Sequence, residues 1–236
     1  MLDIGCGDGG VTVDVLRKFL PANYEKLVGL DISESMVNHA SKHHSDERTS
    51  FVVQDIAGVL QPSLRQSFDH AFSIYALNWV RDQKSTFTNI YNILAPGGDF
   101  LFLILTKSPV FEVYRRLKSN EKWKSILGDV EQYLSPYHDS EDPEKELRDL
   151  LEGLGFRNIF LKLENKRYYY ENLEVLLKSV MAISPFQIPQ DMKDEYLKDY
   201  LQALRDLGHL NNTPYGSNDV AEFKSGLYAI TAYACK

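Results

Sequence analysis

The chain opens with Met1-Leu2-Asp3-Ile4-Gly5-Cys6-Gly7-Asp8-Gly9-Gly10, an apolar run that ends in a cluster of glycines. An amphipathic run, Val11 to Leu20, follows directly. This order predicts a strand, a tight turn and the start of a helix. We expect such a turn to leave backbone N–H groups unpaired and to admit a ligand closely, because glycine has no Cβ. The spacing Gly5-x-Gly7-x-x-Gly10 matches a dinucleotide fingerprint, although similar turns also occur without any ligand.

The composition is that of a globular protein able to form one large domain, residues 1–236, with an elaborated cap. A net charge of -7 argues against a nucleic-acid partner, which would require a basic face. No apolar run approaches the ~20 residues that cross a bilayer. The two cysteines, Cys6 and Cys235, lie at opposite ends and suggest a reducing compartment. We therefore expect a cytoplasmic protein with no nucleic-acid, membrane or metal partner.

Strand-like and helix-like segments alternate through the first half of the chain. Because the strands are apolar on both faces, they predict an α/β fold with a doubly wound, mostly parallel sheet. The predicted strands are Leu2–Gly5, Lys26–Asp31, Phe51–Ile56, Phe68–Ile74 and Asp99–Leu105, and the predicted helices are Val11–Leu20, Ser33–His43 and Lys84–Leu94, with a sharp turn at Pro96–Gly98.

The second half is richer in aromatic and charged residues. Two helical insertions, at about 108–140 and 165–210, are expected to form a cap over the substrate. Between them, Pro143 begins a helix, Glu144–Leu154, that Gly155 ends. Phe156–Leu163 is predicted as a sixth strand and Leu227–Ala234 as a seventh, completing a seven-stranded sheet.

Three acids stand out against the apolar strands. Asp31 and Asp55 lie at predicted strand ends, where Asp31 could accept hydrogen bonds from a ribose diol or merely stabilise a helix start. Asp55 could accept from the amine of a purine that lies against Ile56. Asp3 lies inside an apolar strand, where an unpaired carboxylate is costly. We expect Asp3 to fix the glycine loop or to bind a cationic ligand group.

The opening motif, Asp3 to Gly9, resembles the first motif of class I S-adenosylmethionine-dependent methyltransferases, which have a Rossmann-like fold. Phe68-Asp69 and Leu94-Ala95-Pro96-Gly97-Gly98 resemble later motifs of the same class. The chain lacks the Asn/Asp-Pro-Pro-aromatic signature of base-amine methyltransferases and carries Ser73 to Val80 instead, as small-molecule carboxyl methyltransferases often do. Over nearly its whole length the sequence is similar to the insect juvenile hormone acid O-methyltransferases. Further stretches that carry this similarity are Lys122-Trp123, Ser135–His138 and Ser179–Phe186.

The resemblance implies a set of site residues. S-adenosyl-L-methionine would be held at its methionine end by Asp3, Gly5 and Gly7, at its ribose by Asp31, and at its adenine by Asp55 and Ile56. Cys6, Ile32 and Ser73 belong to the same implied cofactor site. Trp79 matches a tryptophan that contacts the substrate carboxylate, and Tyr75 would help to position it. The implied substrate is farnesoic acid or juvenile hormone acid.

The implied reaction needs little acid–base chemistry. A carboxylic acid with a pKa of about 4–5 is already ionised at neutral pH, so its methylation requires positioning and desolvation but no general base. An indole N–H only donates, which suits Trp79 to a carboxylate acceptor. Aromatic residues of the insertions either line an apolar pocket for the isoprenoid tail or form ordinary core: Tyr114, Trp123, Tyr137, Tyr168, Tyr169, Tyr170 and Phe186.

Two departures from the family pattern are visible. The family usually has Leu-His-Trp where this chain has Leu77-Asn78-Trp79. Family members also carry a further segment ahead of the glycine motif, with a glutamine that contacts the substrate carboxylate. We therefore expect this sequence to be either a fragment or a gene product that has lost this segment, which covers the site in the family.

Three alternatives remain open from the sequence. The acceptor could be another small carboxylic acid or a hydroxyl group. The chain could be a non-catalytic relative that binds cofactor or terpenoid without turnover. A nicotinamide-dependent dehydrogenase is disfavoured, since such enzymes usually have an apolar residue where Asp3 stands.

Overall fold

The computed structural model describes residues 1–210, 221–223 and 227–236. Its first strand, β1 (Leu2–Ile4), is fully buried and leads through the glycine turn into a short helix, α1. This helix starts as a π-helical turn, Thr12–Leu16, and ends as an α-helical turn, Arg17–Phe19. The predicted strand–turn–helix unit is therefore present.

The remaining elements of the first half alternate as predicted. They are β2 (Leu27–Asp31), α2 (Glu34–His44), β3 (Thr49–Val53), β4 (Phe68–Ile74), α3 (Gln83–Ile93) and β5 (Leu94–Lys107). The prediction of β3 was wrong at both ends, since the strand stops at Val53 and leaves Asp55 in the loop beyond it. The side chain of Asp46 accepts the N–H groups of Arg48 and Thr49 and so starts β3 earlier than its apolar residues indicate.

The turn predicted at Pro96–Gly98 is a bulge within β5. Phe68 of β4 pairs with Leu94 of β5, whereas His70 pairs with Asp99, so the extra residues of β5 loop out. Gly97 makes this possible with a φ of 81°.

The second half contains α4 (Pro109–Lys118), α5 (Glu121–Leu127), α6 (Pro143–Gly153), β6 (Arg157–Asn165), α7 (Leu173–Ala182), α8 (Lys193–Asp206) and β9 (Tyr228–Cys235). The predicted helices of both insertions are present. A small antiparallel pair, β7 (Tyr168–Tyr170) with β8 (Ala221–Phe223), was not predicted. Among the described residues, no helix is both long enough and apolar enough to cross a membrane.

The main sheet has seven strands in the order β3-β2-β1-β4-β5-β9-β6. Strand β1 pairs in parallel with β2 on one side and with β4 on the other. Strand β9 runs antiparallel to β5. The Thr106 hydroxyl near the end of β5 donates to the Tyr228 carbonyl at the start of β9, and the Lys236 N–H just after β9 donates to the Gly98 carbonyl near the start of β5. The order reverses at β1, so a ligand crevice is expected at the carboxyl ends of β1, β2 and β4.

The chain divides into two compact units. The first comprises Met1–Ile104, Ser140–Leu163 and Ile230–Lys236, and the second comprises Leu105–Asp139 and Glu164–Ala229. The second unit has a core of aromatic side chains, in which Trp123 packs edge-on against Tyr196 with the ring centroids 5.3 Å apart. Of the aromatic residues proposed to line a pocket, Tyr114, Trp123, Tyr137 and Phe186 are buried, Tyr170 is half-buried and Tyr169 is exposed, while the side chain of Tyr168 lies outside the described residues.

Candidate active site

A cavity of about 500 Å³ lies at the reversal point of the sheet. Its wall contains six of the residues that the sequence singled out: Gly5, Asp31, Ile32, Asp55, Ile56 and Trp79. The size lies within the roughly 300–1,000 Å³ usual for small-molecule sites. Sequence reasoning missed the residues flanking Trp79, namely Ala76, Leu77, Val80, Arg81 and Asp82, and four others of the wall: Ile4, Leu30, Gln54 and Ala57.

The glycine turn is not a row of free N–H donors, which corrects the sequence expectation. The Gly5 and Cys6 N–H groups both donate to the Leu30 carbonyl, at 2.7 and 2.9 Å. The Gly7 N–H donates to Asp31 Oδ2 at 2.9 Å. The next donors, Gly9 and Gly10, bond to the Cys6 carbonyl and the Asp8 carboxylate, each at 3.0 Å. A phosphate would need those donors, so the turn is poorly suited to a dinucleotide pyrophosphate.

Asp31 connects the turn to the next helix. One carboxylate oxygen accepts the Gly7 N–H and the other accepts the Ser33 N–H, both at 2.9 Å. Ser33 in turn caps α2 by accepting the Met36 N–H. Each carboxylate oxygen still has a lone pair for a further donor. Asp31 therefore fixes the glycine turn and can also accept from ribose hydroxyls.

Asp3 fixes the start of α1. Its side chain is 2% exposed and accepts a hydrogen bond from the Thr12 hydroxyl at 2.6 Å. Burial raises the pKa of Asp3 to about 6, against the lowering effect of the Thr12 bond, and the nearby Asp31 carboxylate adds to the rise. The sequence marked Asp3 as an acid inside an apolar strand, but nothing in the sequence identified Thr12 as its partner.

Two residues of the implied cofactor site have other partners. The Cys6 side chain is buried in a core cluster with Val13, Val37 and Phe51, which directs its sulfur into the core. Burial also raises the pKa of the Cys6 thiol to about 12. Ser73 is fully buried, and its hydroxyl donates to the Ile4 carbonyl at 2.9 Å. Neither residue lines the cavity, nor do Asp3, Gly7 and Tyr75.

The loop after β4 is pressed against the glycine turn. A Cβ on Gly5 would lie 2.1 Å from the Ala76 Cβ, and Gly5 has a φ of +78°. Only glycine fits there. The loop is held further by Gln83, whose amide donates to the Leu77 and Val80 carbonyls at 3.0 and 2.6 Å. These contacts place Trp79 at the cavity wall.

The cavity fits the cofactor that the resemblance implies. Asp31 offers acceptors for a ribose, and Asp55 offers a carboxylate beside Ile56. Ile32 is 67% exposed, an unusual position for an isoleucine, and Ile56 adds a second apolar side chain to the wall. A flat ring packed against these side chains would cover apolar surface that is otherwise costly to expose. These residues suit an adenosyl group.

Known proteins resemble this chain in sequence and in fold. A family model described as a methyltransferase domain matches residues 1–98. Over its whole length the chain is 47% identical to juvenile hormone acid O-methyltransferase from Bombyx mori and covers 84% of that protein. The corresponding enzyme from Drosophila melanogaster is 39% identical, with all of this chain and 80% of that protein covered. Malonyl-[acyl-carrier protein] O-methyltransferase 2 from Ilyobacter polytropus is 32% identical over 85% of this chain and 75% of its own length.

Solved structures agree in fold. The YcgJ protein from Bacillus subtilis superimposes with a TM-score of 0.62 at 17% identity, covering all of this chain and 90% of that one. A phosphoethanolamine N-methyltransferase from Haemonchus contortus, in complex with S-adenosyl-L-methionine, has a TM-score of 0.57 at 20% identity. All of this chain and 48% of that one are covered. At these identities the likeness speaks for the fold alone.

Proposed function

This chain belongs to the juvenile hormone acid O-methyltransferase family of class I S-adenosylmethionine-dependent methyltransferases, and from that premise we propose that it esterifies the carboxylate of a terpenoid acid. Farnesoic acid and juvenile hormone acid are the proposed acceptors. The observation that carries the proposal is the Trp79 indole, a pure donor, at the wall of a cavity bounded by Asp31 and Asp55.

The cavity chemistry supports an acceptor that is already ionised. Among the described residues that line the cavity there is no histidine, lysine or cysteine to take a proton. A carboxylic acid with a pKa near the ordinary value of about 4 needs none at neutral pH. When bound, S-adenosylmethionine supplies an electrophilic methyl group. The protein then has only to bind, orient and desolvate the acceptor.

We propose the following roles for the chain's own residues. Asp31 accepts from the ribose hydroxyls, and Asp55 with Ile56 holds the adenine. Asp3, buried behind the glycine turn, supplies negative charge for the cationic amine of the methionine end. Trp79 donates to an acceptor carboxylate oxygen, and Tyr75 shapes the bend that presents Trp79. Of the remaining implied residues, Cys6 contributes through its backbone and Ile32 forms part of the apolar wall. The Ser73 hydroxyl attaches β4 to β1.

The direct test is methyl transfer from labelled S-adenosylmethionine to farnesoic acid, with the methyl ester identified as product. We expect W79F to raise the KM for the acid by about tenfold, because one hydrogen bond to a charged group is lost. Its affinity for S-adenosylhomocysteine, measured by calorimetry, should stay within about twofold. A chain that binds S-adenosylhomocysteine but esterifies neither terpenoid acid would contradict the proposal.

A second acceptor class is favoured by one observation. The 32% identity to a malonyl-[acyl-carrier protein] O-methyltransferase extends over 85% of this chain, so other carboxylates deserve the same assay. A panel of fatty, aromatic and acyl-carrier-bound acids separates this reading from the terpenoid one. Binding of S-adenosylhomocysteine with no turnover of any acid would indicate a non-catalytic relative.

We also propose that the chain works in the cytosol. Both of its cysteines are free: Cys6 is buried in the core, and the Cys235 thiol lies 3.4 Å from the Tyr233 hydroxyl. Free thiols are usual where the environment is reducing. Microscopy of a tagged full-length chain tests this proposal.

A further inference from the structure

Asn78 lies at the centre of the loop that carries Trp79. It belongs to the short 3₁₀ turn Leu77–Trp79 and is 0% exposed. A buried amide is costly unless its donors and acceptor find partners. In the amide orientation that satisfies both ends, the nitrogen donates to the Tyr75 carbonyl and the oxygen accepts the Trp79 Nε1–H, each at 3.1 Å. Asn78 thus links a backbone bend to the indole ring.

The bend at Tyr75 is a strained one. Tyr75 has a φ of 55°, in the left-handed region that side chains other than glycine rarely adopt. Its N–H is fixed by the Leu103 carbonyl at 2.9 Å, and its carbonyl receives the Asn78 amide. Such strain persists only where neighbouring contacts hold it. The Asn78 amide is one of the groups that hold the chain in this shape.

The same amide holds the indole N–H that an acceptor carboxylate would use. The Asn78 oxygen is a neutral acceptor, whereas a carboxylate forms a shorter and stronger charge-assisted bond with the same donor. An ionised acid entering the cavity can therefore compete for the indole N–H. An uncharged acceptor of similar shape has no such advantage over the amide.

We infer that Asn78 is a positioning residue that orients the Trp79 indole and holds its N–H until an acceptor carboxylate takes it. This inference rests on the proposed function for the identity of the acceptor. The pairing of Asn78 with Trp79 stands independently of turnover. Selectivity for carboxylates over neutral oxygen nucleophiles then follows from the exchange of a neutral acceptor for a charged one.

Three substitutions separate the functions of the amide. N78L removes both hydrogen bonds. N78H keeps one donor and one acceptor, as a neutral imidazole has, and is the conservative variant. N78D keeps an acceptor for the indole and, assayed at about pH 9 so that the buried carboxyl is ionised, replaces the donor with a charged oxygen, which holds the indole N–H more strongly and repels an incoming carboxylate.

The first readout is the indole N–H signal of Trp79 in ¹⁵N-labelled full-length protein. The chain has two tryptophans, so W123F assigns the signal. We expect slow solvent exchange of this N–H in the original chain and in N78D, and exchange at least about tenfold faster in N78L. N78H should stay close to the original chain. Adding farnesoic acid with S-adenosylhomocysteine should shift the Trp79 signal and leave the Trp123 signal in place.

The second readout is turnover of farnesoic acid. N78L and N78D should lower kcat/KM by about tenfold or more, while N78H recovers most of it. Affinity for S-adenosylhomocysteine should remain within about twofold in all three. Should N78L fail to fold, N78D gives the decisive comparison, because it is isosteric with asparagine.

The inference is overturned by an unchanged Trp79 signal in folded N78L, or by N78D that esterifies farnesoic acid as fast as the original chain. If the original chain makes no ester, the proposed function fails. The indole exchange data then still decide whether Asn78 positions Trp79.

Discussion

Asp3 and Asp31 both stabilise the glycine turn, and they do so at opposite ends of it. Asp31 accepts the Gly7 N–H, whereas Asp3 accepts the Thr12 hydroxyl where α1 begins. Both carboxylates therefore have structural partners before any cofactor arrives. The difference between them is burial, since Asp3 is 2% exposed and Asp31 lies at the cavity wall. Burial makes the Asp3 carboxyl sensitive to pH near neutrality, because it raises the pKa of this group to about 6.

Cofactor binding should depend on pH through Asp3. Because the pKa of Asp3 is raised to about 6, the carboxyl becomes protonated as the pH falls from 7.5 to 5.5 and loses its attraction for a cationic amine. We expect the affinity for S-adenosylhomocysteine to fall across this range. In D3N the affinity should be lower by about tenfold at pH 7.5 and nearly independent of pH. Calorimetry at several pH values measures both effects, and an identical pH profile in D3N would refute the assignment.

The same group should affect stability with the opposite sense. A raised pKa in the folded state means that folding binds a proton between the unfolded value of 3.8 and about 6. The contribution of Asp3 is thus fully present below pH 3.8 and is lost as the pH rises through 6. At pH 7.5 we expect D3N to be more stable than the original chain by up to about 3 kcal/mol. Urea unfolding at pH 5 and 7.5 tests this sign.

At the scale of elements, the contact between the glycine turn and the loop after β4 is the tightest constraint on the site. The Cβ of an alanine at position 5 would lie 2.1 Å from the Ala76 Cβ. Gly7, by contrast, has nothing within 4 Å of its hypothetical Cβ, although its φ is also positive at +54°. The two glycines therefore form a matched pair that separates steric conflict from backbone strain.

We expect G5A to destabilise the chain by about 3 kcal/mol or more and to weaken binding of S-adenosylhomocysteine. G7A should cost only about 1–2 kcal/mol, because it adds backbone strain without a clash. The double variant G5A/A76G should recover part of the loss, since it removes the opposing Cβ. Urea unfolding of the four proteins gives the comparison. Equal stability of G5A and G7A would contradict the steric argument.

At the scale of the whole molecule, the residues that line the candidate cavity all belong to the first unit. The second unit has its own core, centred on Trp123. This side chain is 0% exposed, packs against Tyr196 and donates its indole N–H to Asp199 at 2.8 Å. Lys122 also bonds to Asp199, at 3.2 Å. These contacts join α5 to α8.

Loss of the Trp123 side chain should therefore destabilise the second unit without removing cofactor affinity. We expect W123A to lower the free energy of unfolding by about 3–5 kcal/mol and W123F by about 1 kcal/mol, the latter for the lost hydrogen bond. Affinity for S-adenosylhomocysteine should stay within about threefold in both. Hydrogen exchange locates the loss of protection. A loss of S-adenosylhomocysteine affinity of more than about tenfold in W123A would contradict the prediction.

The sequence by itself determined the class of fold and predicted a candidate site at the carboxyl edge of its first strands. The hydrophobic period of a strand or helix depends on near neighbours in the sequence. The bounds of β4 were therefore predicted to the residue, and those of β1, β2, α1, α2 and α3 to within a few residues. The glycine turn and Asp31 could be predicted to lie near one candidate site, because carboxyl ends of parallel strands meet at one edge of a sheet. The motifs around them were sufficient to indicate the family.

The tertiary structure alone decided how the site residues are partnered. Asp31 bonds to Gly7 across 24 residues, Ser73 to Ile4 across 69, and Gly5 opposes Ala76. No local period encodes such pairs, because each requires two strands to be brought side by side by the whole sheet. For the same reason, the sequence could not show that the N–H groups of the glycine turn are already bonded. It could also show Asn78 only as a departure from a pattern, whereas the folded loop places its amide between Tyr75 and Trp79.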